Sequence, residues 1–294
     1  MNELLNNFVE YLRKEGHRVN TYNSYKNIIT RFLEYLETEQ ISYLQVSYSD
    51  ILSYINHLKE KGNKKSTINS ILNSIRHFYN YLQTGNKVES NPAETIRIRN
   101  IARKVPHNII EWNDLEQLYK DFKTVGIAGK RNKIILSLFI YQGLNTGELT
   151  AIELKDIKLE EGKIYIPKVG RSNSRIMKLE AFQVLQIQKY ITEVRPVIIA
   201  ITEKVSDKLF LSTGNGNGMS NSYIKMLDHI RKLNPKIKDF KQIRASIITH
   251  WLKQYNIRQV QYMSGHRYIS STDAYRTDTL ESLQEMINEL HPLQ

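Results

Sequence analysis

Between Lys241 and Tyr275 the chain gathers side chains that together can break a phosphodiester. Lys241 and Arg244 lie one helical turn apart, Ser264-Gly265-His266 follows an apolar run, and Tyr275 stands nine residues after His266. A phenol can attack phosphorus if the phosphoryl oxygens are neutralised and the leaving alkoxide receives a proton. Arginine suits the first task because its planar fork grips two oxygens at once. Histidine or lysine can share the remaining charge and proton work. Most of the eighteen tyrosines must be packing residues; Tyr275 is singled out by its place after Gly265-His266.

Composition narrows the partner. The chain has 294 residues, a net charge of +12 and no cysteine. That excess of positive charge suits a polyanion, most commonly nucleic acid. Without cysteine there is no disulfide, thiolate chemistry or Cys-based metal site. The stretch Met1–Asn7 does not read as a signal peptide. The most apolar stretch, Ile134–Ile140, is far too short to span a bilayer. A cytoplasmic protein with no membrane partner is expected.

The elements that position these residues are mostly helical. Leu5, Phe8, Val9 and Leu12 recur at helical spacing. A second helix, capped by Asn20 or Thr21, runs through Tyr25, Ile29, Phe32 and Leu36. A third follows Ser49-Asp50 and ends at Gly62; a fourth opens at Ser66-Thr67 and closes at Gly85. Four such helices make a small bundle over residues 1–94. Asn91-Pro92 breaks the pattern. Residues 95–107 hold no acid but carry Arg97, Arg99, Arg103 and Lys104, and read as a basic linker crossing phosphates. A second domain occupies 108–294. In it, helices are expected from Asn113-Asp114 and over Lys130–Gln142. Lys163–Lys168 and Arg175–Leu179 flank a polar turn and form a hairpin by alternation. Helices resume at Ala181, and another starts with Ser220 as its cap. The run Ile247, Ile248, Trp251 and Leu252 makes a helix that Arg244 begins.

These motifs resemble those of the tyrosine recombinases, the phage integrase and Xer-type enzymes. That family carries a His-x-x-Arg box, a Gly-His pair and a tyrosine nine residues after that histidine. Lys241-x-x-Arg244 departs from it by Lys for His. Farther upstream, Tyr141-Gln142-Gly143-Leu144-Asn145-Thr146-Gly147-Glu148-Leu149 resembles the Thr-Gly-Leu-Arg-x-x-Glu-Leu box. Here Asn145 stands where the first catalytic arginine belongs. The resemblance covers nearly the whole chain. It implies a mainly α (α+β) fold: a SAM-like, core-binding bundle of four helices, then a helical catalytic domain with a small antiparallel sheet.

The resemblance also implies roles. Tyr275 would attack the scissile phosphate, giving a 3′-phosphotyrosine and a free 5′-hydroxyl. Arg244, His266 and Lys241 would hold the phosphoryl group. The family places a lysine in the hairpin as general acid; Lys168 is the best match and Arg171 the alternative. Glu148 would brace a neighbouring cation. Asn145 leaves three readings: Arg171 or Arg131 fills the space, the enzyme is slow, or the chain is a DNA-binding relic with an architectural role. DNA contacts are expected from Lys64, Lys65, Arg76 and His77, and from Thr21, Asn23 and Lys26. The last helix, with Leu280, Leu283, Ile287 and Leu290, would dock on a neighbouring protomer. The implied assembly is a homotetramer on paired duplex DNA sites, with neither metal nor other cofactor. A type IB topoisomerase-like enzyme shares the chemistry but acts alone.

Overall fold

The computed structural model describes residues 2–99, 108–214, 216 and 218–276. Arg103, Lys104 and the apolar run from Leu280 to Leu290 lie outside them. The chain divides into two compact units, Met1–Ala102 and Arg103–Gln294. The fold is mainly helical with one small antiparallel sheet. Among the described residues no helix is long and apolar enough to cross a membrane.

The first unit is a bundle of α1 (Asn2–Lys14), α2 (Val19–Thr38), α3 (Tyr48–Glu60) and α4 (Lys65–Thr84). Each turns one apolar face inward. Phe8, Ile29, Phe32, Ile51, Leu72, Ile75 and Phe78 are wholly buried, and Phe8 meets Phe78 edge-on at 5.4 Å. Helix starts in this unit differ from the sequence reading by up to three residues. Asp50 does not precede α3 but sits inside it: Ser47 is the cap, and Asp50 Oδ2 accepts the Ser47 N–H at 2.8 Å. Arg18 and Lys64 cap α2 and α4 with backbone alone. After α4 the chain stays pinned to the bundle. Arg76 Nε donates to the Ala93 carbonyl at 3.0 Å and Nη2 to that of Ile96 at 2.6 Å. Ile96 is buried in the same core, so the packed unit extends past residue 94.

The second unit begins with α5 (Trp112–Asp121) and α6 (Gly126–Tyr141), then the short α7 (Thr146–Ala151). A meander follows: β1 (Ile157–Lys158), β2 (Lys163–Ile166) and β3 (Arg175–Lys178), in that order and antiparallel. Tyr165 pairs with Ile176 and Ile166 with Arg175. The hairpin was expected; β1 was not, because a two-residue strand shows no alternation. α8 (Ala181–Lys189) passes through a π turn into α9 (Arg195–Thr202). α10 (Ser220–Leu233), α11 (Phe240–Gln254), α12 (Ile257–Ser264) and α13 (Ser270–Asp273) follow among the described residues. The centre is α6, buried from Ile134 to Ile140 and packed against α11. Phe139 stacks on Phe240 at 4.3 Å.

Candidate active site

The site is organised around a buried carboxylate. Asn145 caps α7: its Oδ1 accepts the Glu148 N–H at 2.9 Å, and Glu148 Oε2 accepts the Asn145 N–H at 3.0 Å. Glu148 is fully buried. Arg175 of β3, also inaccessible to solvent, donates from Nη1 to Oε1 at 2.8 Å and from Nη2 to Oε2 at 3.2 Å. Arg244 Nη1 reaches the same Oε2 at 3.2 Å. Burial pushes the Glu148 carboxyl up. The Arg175 hydrogen bond, the charges of Arg244 and Arg175 and the Asn145 N–H outweigh it and hold the group below its usual range. One carboxylate thus serves two guanidiniums. Removing one member of such a buried pair typically costs about 3–5 kcal/mol.

Arg244 lies in the second turn of α11, not at its start. Asp239 caps that helix, accepting the Gln242 N–H at 2.8 Å. Arg244 Nη1 also donates to the Gly143 carbonyl and Nη2 to that of Ser264. Gly143 must be glycine: its φ is +57°, and a Cβ there would meet the Trp251 ring at 2.9 Å. The Arg244 side chain is 12% exposed. Burial lowers its pKa while the Glu148 charge raises it. Its Nε and a second Nη2 hydrogen have no partner among the described residues, so one edge of the fork remains for an anion. Lys241 sits one turn earlier on the same helix and is exposed.

α12 delivers the Gly-His pair. Gly265 ends it in the left-handed conformation, φ +69°, and its N–H returns to the Tyr262 carbonyl at 2.9 Å. The His266 N–H bonds the Gln261 carbonyl at 3.1 Å. The His266 Nδ1 lies 2.9 Å from Thr272 Oγ1 on α13. Tyr275 follows α13, and its ring stacks on His266 with centroids 5.9 Å apart and planes 15° apart. The hairpin turn closes over this segment: Asn173 N–H donates to the Gly265 carbonyl at 2.8 Å, and Ser172 bridges to His266. Arg171 therefore neighbours the residue that touches His266. Lys168 lies across the same turn, and both cations are exposed.

The fold thus brings Arg244, His266, Tyr275, Asn145 and the hairpin turn together, with Lys241 one turn from Arg244. It does not bring Arg131, which is buried in α6 and donates to the Leu211 carbonyl and to Asn132. The residue missed from sequence is Arg175. Its signal was an arginine at an inward position of an alternating strand, in step with buried Met177 and Leu179.

In the first unit, Lys64 and Lys65 stand exposed at the start of α4, and Asn23 is exposed on α2. Thr21 is half-buried, and Lys26 donates to Asn6 at 3.0 Å. Arg76 instead anchors the chain after α4. His77 packs in a ring cluster with His17 at 5.0 Å and Tyr25 at 5.3 Å. Arg97 donates to the Ile96 carbonyl at 3.0 Å, and Arg99 is exposed.

Comparison with known proteins places this geometry. Residues 108–281 match the model of the phage integrase family, and residues 5–85 match its N-terminal SAM-like domain. The chain belongs to the phage integrase family. It is 29% identical over 300 residues to a tyrosine recombinase XerC of Anoxybacillus flavithermus, covering 99% of this chain and 98% of the relative. A tyrosine recombinase XerD of Staphylococcus saprophyticus is 26% identical over 302 residues, covering 99% of each. Among solved structures, the XerH site-specific recombinase bound to a palindromic difH substrate superposes with a TM-score of 0.72 at 17% identity. That match covers 90% of this chain and 78% of that one. A lambda integrase dimer bound to a core site gives 0.67 at 14% identity, covering 95% of each chain. At these identities the two structures establish the shared fold.

Proposed function

We propose that this protein is a site-specific DNA recombinase that cleaves and rejoins duplex DNA through a covalent bond to Tyr275. The observation that carries the reading is the stack of Tyr275 on His266, in the segment whose Ser264 carbonyl holds Arg244. The phenol oxygen attacks phosphorus, and the 5′-oxygen leaves. The open edge of Arg244 grips two non-bridging oxygens. His266, oriented through Thr272, hydrogen-bonds the phosphoryl group, and Lys241 adds positive charge. Lys168 is the better general acid, because an arginine such as Arg171 hardly releases a proton. A second 5′-hydroxyl then reverses the step on a new partner. The phosphotyrosine conserves the bond energy, so rejoining requires no nucleotide cofactor.

The working form in this reading is a homotetramer on two duplex sites, with Lys64, Lys65, Arg97 and Arg99 holding phosphates. Asn145 acts in this reading as the cap of α7 and supplies no charge to the phosphate. A duplex carrying a nick just beyond the scissile phosphate traps the intermediate. The parent protein should form a covalent adduct; Tyr275→Phe should form none while binding the duplex equally well. No adduct from the folded parent would favour an architectural DNA-binding role. An adduct persisting in Tyr275→Phe would move the nucleophile elsewhere, with Tyr268 next in line.

A further inference from the structure

We propose that Arg175 is a positioning residue that neutralises Glu148 and so keeps the charge of Arg244 free for the scissile phosphate. The proposal rests on the recombinase reading, and it concerns charge. Glu148 touches both guanidiniums, and all three side chains are buried or nearly so. Together they carry one net positive charge. Were Arg175 absent, Glu148 and Arg244 would cancel, and an anion arriving at the open edge of Arg244 would meet a neutral pair. Coulombic interactions are large where water is excluded. The effect is acute in this chain because Asn145 offers no second arginine on the α7 side.

Two further observations fit. The Gly265 Cα faces the Arg175 guanidinium so closely that a Cβ would lie 2.3 Å from Nη1, so the Gly-His segment is shaped around this side chain. Arg175 also has a buried Nε with no partner among the described residues. Arg175 is inaccessible and does not itself touch DNA.

The test separates charge from shape. Arg175→Lys keeps the charge without the fork; Arg175→Gln keeps a hydrogen bond to Glu148 without the charge. Adduct formation on the nicked duplex and affinity for an intact duplex are read for both, with thermal melting to confirm folding. Arg175→Lys should cleave within a few-fold of the parent, and Arg175→Gln at least tenfold more slowly. The double variant Arg175→Gln with Glu148→Gln again leaves Arg244 unopposed, and should recover most of the lost rate and affinity. Should the single Gln variant fail to fold, the double variant and Arg175→Lys carry the comparison: a folded double variant that still cleaves supports the proposal, and a folded inactive one overturns it. Equal rates for Lys and Gln, or a double variant no better than the single, also overturn it. If affinity follows the predicted order while even the parent makes no adduct, the charge proposal stands and the Tyr275 reading fails. If the parent makes adducts that ignore Arg175→Gln, the reverse holds.

Discussion

Replacing Gly265 by alanine tests how tightly the Gly-His segment and Arg175 are fitted together. Two costs add. A left-handed backbone disfavours any Cβ by about 1–2 kcal/mol, and Gly265 has φ +69°. The new methyl would also sit 2.3 Å from Arg175 Nη1 and 3.1 Å from the Asn173 carbonyl. Arg175 is fixed by Glu148 and cannot swing to solvent, so the clash must loosen a buried ion pair whose full loss costs about 3–5 kcal/mol. A partial displacement brings the total to roughly 4 kcal/mol. Gly162 is the internal control: its φ is +59°, but nothing lies within 4 Å of a methyl added there, so Gly162→Ala should lose only the backbone share of about 1–2 kcal/mol. Both tryptophans, Trp112 and Trp251, lie in the second unit, so fluorescence reports that unit alone during denaturation. The two variants should differ by at least ~2 kcal/mol, or on the order of 6 °C in melting temperature for a unit of this size. Equal losses would refute the close packing of Gly265 on Arg175.

Asn145→Arg should lower the cleavage rate: it removes a cap worth about 1 kcal/mol and adds a cation where Glu148 already serves two; a clear rise in single-turnover rate would instead mark a site that has merely lost charge. In the hairpin, Lys168→Ala should slow cleavage more than Arg171→Ala, and a substrate with sulfur as the bridging 5′ atom, whose thiolate leaves without a proton, should restore only the variant lacking the general acid. Neutralising Lys64 and Lys65 should weaken binding to all duplexes and flatten the logarithmic salt dependence by about one unit per lost phosphate contact; an unchanged slope would place both in solvent. Burial, then the neighbouring His17, holds the His77 imidazole below its ordinary 6.5; the unfolded chain takes up the proton first, so stability is full above that pH and is lost as pH falls through the lower folded value. His77→Phe should flatten this loss in denaturant midpoints measured between neutral and mildly acidic pH.

Much of this could be read from the chain because its signals are local. The helices of the bundle show in the spacing of Leu5, Phe8 and Leu12 or of Ile68, Leu72 and Ile75, and the hairpin in its alternation. Gly265, His266 and Tyr275 lie within one short segment, so their approach needs only the end of α12 and the turn of α13. Arg175 was hidden for the opposite reason. Its partner Glu148 lies 27 residues away, and no periodicity announces a pairing between a strand and a helix cap. Arg76 and His77 show a different limit: a basic residue on a helix reads alike whether it faces solvent, the chain's own carbonyls or neighbouring rings. Helix starts shifted for a related reason, since Asp50 looks like a cap in sequence but reaches back as the third residue of its helix.

The anchoring of the chain after α4 bears on how the tether between the two units can be engineered. Arg76 ties down the carbonyls of Ala93 and Ile96, and the Asn91 side chain bonds the Arg76 carbonyl at 3.0 Å. The upstream end of the connection is therefore a fixed post. Residues inserted before Ile96 would disturb the post itself and weaken the bundle, whereas residues inserted after Ile98 would leave these bonds in place. A flexible insert of n residues adds a span that grows only as the square root of n. Lengthening the tether there would act as a graded control on the effective concentration of one unit at a DNA site already held by the other.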